Sequence, residues 1–131
     1  MLPGVQGIHH IAIICSDYSR SKTFYCELLG GEIVCETYRA ERESYKLDIQ
    51  FPGFQIELFS FPNPPLRPSQ PEAQGLRHLA ITVSDLDNAI AYLVKNDVSV
   101  EPVRIDEITN NRFTFFADPD GLPLELVEVL L

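Results

Sequence analysis

No apolar run in this 131-residue chain approaches the about 18 residues a helix needs to span a bilayer. The N-terminus lacks a basic region followed by a small-residue cleavage site, so a soluble, cytoplasmic protein is expected. Cations are scarce. Ten Lys and Arg stand against 19 Asp and Glu, a net charge of −9. Without a basic footprint to neutralise phosphates, a nucleic-acid role is excluded. No glycine-rich loop follows a strand-like run, which argues against nucleotide binding. Cysteine is sparse too: Cys15, Cys26 and Cys35 are odd in number and form no CxxC pair. Such a set suits a reducing compartment better than a disulfide framework. Cys15 and Cys26 fall within apolar runs and read as small hydrophobes.

What the chain does contain is itself, twice. His10 and His78 stand 68 residues apart (78 − 10), and so do Glu57 and Glu125 (125 − 57). Gly7-Ile8-His9-His10-Ile11-Ala12-Ile13-Ile14-Cys15-Ser16-Asp17 lies over Gly75-Leu76-Arg77-His78-Leu79-Ala80-Ile81-Thr82-Val83-Ser84-Asp85. Gly53-Phe54-Gln55-Ile56-Glu57-Leu58 lies over Gly121-Leu122-Pro123-Leu124-Glu125-Leu126. A period this long in so short a chain means one supersecondary unit used twice, and only two copies fit. The length allows one domain with one core, or two small modules sharing one.

Each copy reads as βαβββ. The dense β-branched run from Ile8 to Cys15 predicts a buried strand, and Ser16 or Asp17 caps a helix after it. Phe24 with Leu28 and Tyr25 with Leu29 form its apolar stripe, which Gly30-Gly31 ends. Strands are expected near Glu32–Arg39, Tyr45–Phe51 and Gln55–Phe61. The second copy predicts a strand over Leu76–Val83 and a helix capped by Ser84-Asp85 and carrying Ile90, Leu93 and Val94. Further strands are expected near Val100–Arg104, Arg112–Phe116 and Leu122–Val129, with Asp118-Pro119-Asp120-Gly121 a turn before the last. Module 1 covers about 5–61, a proline-rich linker 62–74, and module 2 75–131. Five prolines between Phe61 and Pro71 make the linker stiff and extended, a spacer rather than a recognition motif.

Strand alternation places the chemistry. His10, Ala12 and Ile14 share one face; Ile11 and Ile13 share the other, where the helix packs. His78, Ala80 and Thr82 oppose Leu79, Ile81 and Val83 in the same way. Glu57 aligns with Gln55 and Phe59, and Glu125 with Pro123 and Val127, while Ile56, Leu58, Leu124 and Leu126 point to the helices. All four polar residues thus fall on the helix-free face. A carboxylate in an apolar strand costs several kcal/mol unless it finds a cation or strong donors. Two such pairs at duplicated positions ask for a common partner, and a divalent metal held by His10, Glu57, His78 and Glu125 fits best. Pairing the two half-sheets would close a curved mixed-sheet cup around it, an α+β fold.

These residues resemble the vicinal oxygen chelate superfamily, the paired-βαβββ group that includes glyoxalase I, methylmalonyl-CoA epimerase, extradiol dioxygenases, fosfomycin-resistance enzymes and bleomycin-binding proteins. The matching segments are His10 to Asp17, His78 to Asp85, Ile56-Glu57-Leu58, and Asp118 through Leu126. In that family the ligands come from the first and last strands of each module, which implies the same four residues here. The His-Glu-His-Glu set resembles that of bacterial glyoxalase I. Two features depart from it. Glyoxalase I usually carries an arginine where this chain has Ile14, and an Asn-Trp-Gly segment where it reads Phe59-Ser60-Phe61-Pro62, with no tryptophan anywhere. Both argue against glutathione as a co-substrate.

Two imidazoles and two carboxylates suit Zn, Ni, Co, Mn or Fe(II). The resemblance implies a lyase or isomerase that removes a proton next to a carbonyl, the metal stabilising an enediolate and Glu125, or else Glu57, acting as base. Phe59, Phe113, Phe115 and Lys46 are candidates to line a pocket for a small carbonyl substrate, the phenylalanines being equally readable as core. Tyr45 is placed beside Lys46 at the cup's edge. Arg39, Arg42 and Arg112 read first as solvated charge, with a substrate anion as the alternative. His9, facing away from His10, reads as packing or surface. Two alternatives remain: an extradiol-type Fe(II) dioxygenase, which Glu57 disfavours by filling a position oxygen needs, and a non-enzymatic binding or resistance protein. A homodimer is expected, with modules pairing within one chain or across two.

Overall fold

The computed structural model describes residues 1–130, and its elements run through one order twice. Two compact units form, Met1–Pro65 and Leu66–Leu131. The first contains strand β1 (Ile11–Cys15), helix α1 (Tyr18–Lys22), and strands β2 (Glu32–Arg39), β3 (Ser44–Phe51) and β4 (Phe54–Ser60). The second contains β5 (Leu79–Val83), α2 (Leu86–Lys95), β6 (Arg104–Ile105), β7 (Arg112–Ala117) and β8 (Pro123–Glu128). The sheets are ordered β1-β4-β3-β2 and β5-β8-β7-β6; in each, the first and last strands of the unit pair in parallel and the rest antiparallel. This is the expected α+β architecture of tandem βαβββ units. Among the described residues no helix is long and apolar enough to cross a membrane.

In the first unit, Asp17 caps α1 by accepting the Arg20 backbone N–H at 3.1 Å. The helix continues as a π-helical turn over Thr23–Leu28, whose wider ring closes where Leu29 N–H meets the Phe24 carbonyl at 2.9 Å. That turn sinks Tyr25 fully into the core with Leu47, Ile49, Ile56 and Leu58. Gly30, at φ +78°, ends it in the left-handed region. Gly31 serves packing instead. A Cβ there would lie 2.3 Å from Ile49 Cγ2 and 2.6 Å from Phe51 Cζ.

In the second unit, Asp85 caps α2 through the Asn88 N–H at 2.9 Å. Leu86 and Leu93 of the helix are buried, as are Leu124, Leu126 and Phe116 of the sheet, and Ile90 is half-buried. Val94, expected on that stripe, lies on the outer side instead, 58% exposed. One residue beyond Leu93 is a 100° rotation, enough to leave the contact face. At the 118–121 turn, Asp118 Oδ1 accepts the N–H groups of Asp120 and Leu122, both at 2.9 Å.

Three strands depart from expectation by more than one residue. β1 begins at Ile11 rather than Ile8, and β5 at Leu79 rather than Leu76. Each is an edge strand with a single partner, and its ladder opens at Ile11–Ile56 or Leu79–Leu124. β6 shrinks from the expected Val100–Arg104 to two residues. Pro102 interrupts that stretch and has no N–H to donate, so a lone Glu101 N–H to Phe115 carbonyl bond of 2.9 Å precedes it. The burial alternation matches the expected faces: Ile13 and Cys15 are buried, Ala12 and Ile14 exposed.

Candidate functional site

Each unit brings its histidine to its glutamate. His10 immediately precedes β1, and Glu57 sits mid-β4 opposite Ala12, so the parallel ladder sets the two side chains on one face. His10 Nδ1 lies 3.3 Å from Glu57 Oε2. In the second unit His78 precedes β5 and Glu125 sits opposite Ala80 on β8, with His78 Nε2 2.9 Å from Glu125 Oε2. The two carboxylates are largely enclosed, with 13% and 17% of their side chains exposed. A carboxylate so enclosed is stabilised only by a positive or strongly donating neighbour, and the imidazole is the nearest group in each case.

The polar surroundings of the two pairs differ. On β3, Lys46 and Asp48 share the face of Glu57; Lys46 Nζ lies 2.7 Å from Asp48 Oδ1 and 3.7 Å from Glu57 Oε1. The hydrogen bond to Asp48 holds the Lys46 ammonium above its ordinary range. In register, Lys46 faces Phe59 and Asp48 faces Glu57, while in the second unit Phe113 faces Val127 and Phe115 faces Glu125. The positions that carry a charged pair in one unit carry two phenyl rings in the other. Asp48 was not singled out from sequence, although its i, i+2 spacing from Lys46 already put both on one face.

The other candidates fall as follows. Phe113 and Phe115 meet edge to face at 6.2 Å, and Phe115 meets the His78 ring at 5.1 Å. Together with His78, Glu125 and Pro123 they line a cleft of about 660 Å³ within the second unit. Phe59 stacks on Phe61, with the Arg39 guanidinium 5.1 Å above its ring. Tyr45, expected beside Lys46 at the cup's edge, points the other way and stacks on Tyr18 at 4.2 Å, because adjacent strand residues face opposite sides. Arg112 bridges Asp87 (2.7 Å) and Glu128 (3.4 Å) at the surface. His9 is exposed, yet its Nδ1 lies 2.9 Å from His10 Nδ1, a contact alternation did not suggest.

The donor chemistry fits a borderline divalent ion: in each unit an imidazole nitrogen and a carboxylate oxygen converge within 3.3 Å on one sheet face. A cation there would satisfy both at once. His78 Nδ1 is enclosed and meets no hydrogen-bond partner, so this ring is held by packing against Phe115 and by its Nε2 contact.

Residues 7–126 match the family model of the Glyoxalase/Bleomycin resistance protein/Dioxygenase superfamily. The chain belongs to that superfamily. The protein YwkD of Bacillus subtilis (strain 168) is 58% identical over 125 residues, covering 95% of this chain and 98% of its own length. The crystal structure of the glyoxalase family protein from Enterococcus faecalis shares 46% identity and superposes with a TM-score of 0.89, over 94% of this chain and 98% of that one. More distant superfamily relatives are enzymes. A 2-epi-5-epi-valiolone epimerase of Actinomyces sp is 29% identical over 150 residues (98% of this chain, 82% of the relative), and the metallothiol transferase FosB of Staphylococcus epidermidis is 29% identical over 124 residues (93% and 83%).

Proposed function

We propose that the protein is a metal-dependent isomerase or lyase of the glyoxalase I-like kind, acting on a proton next to a carbonyl. One observation carries the reading: a histidine–glutamate contact is repeated at duplicated positions, at 3.3 Å in one unit and 2.9 Å in the other. Two enclosed carboxylate–imidazole pairs on the helix-free faces are the donor set that a shared divalent ion needs. His10, Glu57, His78 and Glu125 would hold one divalent ion between them, whether the units pair within one chain or across two copies. When bound, such an ion supplies Lewis-acid polarisation of a substrate carbonyl.

The chain's own residues supply the rest. Glu125 is the proposed base: it is 17% exposed, lies in the 660 Å³ cleft, and has His78 as its one ion-pairing neighbour among the described residues. Glu57 is less free, held between His10 and the Lys46 ammonium. Phe113 and Phe115 line the cleft beside Glu125 and would keep water from the side where it takes the proton. Epimerisation, the reaction named for the Actinomyces relative, belongs to the same class. An Fe(II) oxygenase is the weaker reading, since a second carboxylate ligand occupies a position that oxygen would need.

The test is elemental analysis of untagged protein purified without chelator, alongside His78→Ala. Wild type is expected to carry about one Zn, Ni, Co or Mn per four-residue site, and the variant to lose most of it while keeping its circular dichroism. Iron would favour the oxygenase. Absence of metal after reconstitution, or unchanged affinity in His78→Ala, would leave a sequestering protein as the better account.

A further inference from the structure

Arg67 lies in the proline-rich segment that the sequence presents as a spacer, yet it lines the cleft that holds His78 and Glu125. Its guanidinium is fixed by neutral groups only. Nε donates to Ser69 Oγ at 3.0 Å, and one Nη donates to the carbonyls of Leu76 (2.8 Å) and Arg77 (3.0 Å), the two residues leading into His78. Among the described residues no carboxylate lies within ion-pair distance of it, and its other Nη has no partner. The remaining cleft arginines are neutralised: Arg77 by Glu72 at 2.8 Å, and Arg104 by Glu101 at 2.5 Å. Arg67 is half-buried, its guanidinium is locked by three hydrogen bonds, and with its charge uncompensated and both N–H groups of one Nη unused it is pre-organised for an anion.

The rest of the cleft defines that anion's body. Phe113 and Phe115 form an apolar wall, and Arg104 lies 5.5 Å from both ring centroids, closing over them. The cleft's about 660 Å³ is the size of a small-molecule site. Glu72, Glu101 and Glu125 also line it, so a singly charged group is accommodated better than a doubly charged one. We infer that Arg67 is a specificity-determining residue that binds a carboxylate on the substrate, whose apolar or planar portion rests against Phe113 and Phe115. The inference rests on the reading that His78 and Glu125 face the reacting molecule.

The experiment is calorimetric titration of the full-length, metal-loaded protein with 3-phenylpropionate and its uncharged counterpart 3-phenylpropanamide, with metal content recorded for every sample. The acid is expected to bind wild type about tenfold or more tighter than the amide. Arg67→Gln should abolish that preference while keeping its metal, and Arg20→Gln, on the exposed side of α1, should leave it unchanged. Wild type stripped with chelator is the second arm, needed should Arg67→Gln fail to fold; it should keep the preference, because the guanidinium rather than the ion supplies it. Equal binding of acid and amide, an unchanged preference in folded Arg67→Gln, or loss of the preference on stripping would overturn the assignment. The two readings fail separately: a protein that never takes up metal yet prefers the acid through Arg67 removes the metal-dependent reaction and leaves the anion site standing.

Discussion

Glu57 and Glu125 occupy equivalent positions in the repeat, but their neighbours make them unequal. Glu57 sits between an imidazole and the Lys46 ammonium, whereas Glu125 shares its cleft with two phenyl rings. A base must give up its cationic contacts to take a proton, so the residue with fewer of them is better suited. Glu125→Gln is therefore expected to retain metal while lowering α-proton exchange by roughly 10²–10⁴-fold. Nuclear magnetic resonance of α-hydroxycarbonyl compounds in D₂O reads that exchange, and turnover at the wild-type rate would move the role elsewhere. Glu57→Gln should instead weaken metal retention. At this scale the sequence was most legible where residues were duplicated. Asp48, Arg67 and Arg104 have no counterpart at the 68-residue offset, and repetition could not flag them.

At the scale of single elements, alternation and capping carried far. Asp17 and Asp85 cap their helices through the N–H three residues on, and the faces of β1, β4 and β8 fall as period two requires. Strand ends were less legible, because an edge strand begins where the ladder to its one partner opens, a tertiary event, and a proline such as Pro102 silences a ladder position. The π-helical turn over Thr23–Leu28 was hidden for a related reason. Its extra residue per turn seats Tyr25 in the core, a fit set by the sheet beneath it. Gly31→Ala tests that seat. With a Cβ placed 2.3 Å from Ile49 Cγ2, the variant is expected to lose about 1–3 kcal/mol of stability, measured by urea unfolding. A loss below about 0.5 kcal/mol would show that Ile49 and Phe51 yield easily.

For the whole molecule, each unit supplies half of the proposed ligand set, so metal binding and stability should be coupled. An ion bound only by the native state stabilises it by about 2.7 kcal/mol at 100 times its dissociation constant. Chelation is accordingly expected to lower Tm by roughly 10 °C in wild type and by much less in His78→Ala, followed by calorimetry. A Tm indifferent to chelator in wild-type protein shown to carry metal would mean that the ion does not couple to folding.

The repeat alone determined the βαβββ order, the four candidate ligands and the face they share, because side-chain period and position in a duplicated unit are local properties of the chain. Tertiary structure decided what surrounds them. It set a lysine and an aspartate beside one glutamate and two phenylalanines beside the other, through the register of β3 on β4 and of β7 on β8. It also turned a proline-rich spacer into the wall of a cleft, by tying Arg67 to the carbonyls that precede His78. Those contacts join residues through space, and no periodicity along the chain encodes them.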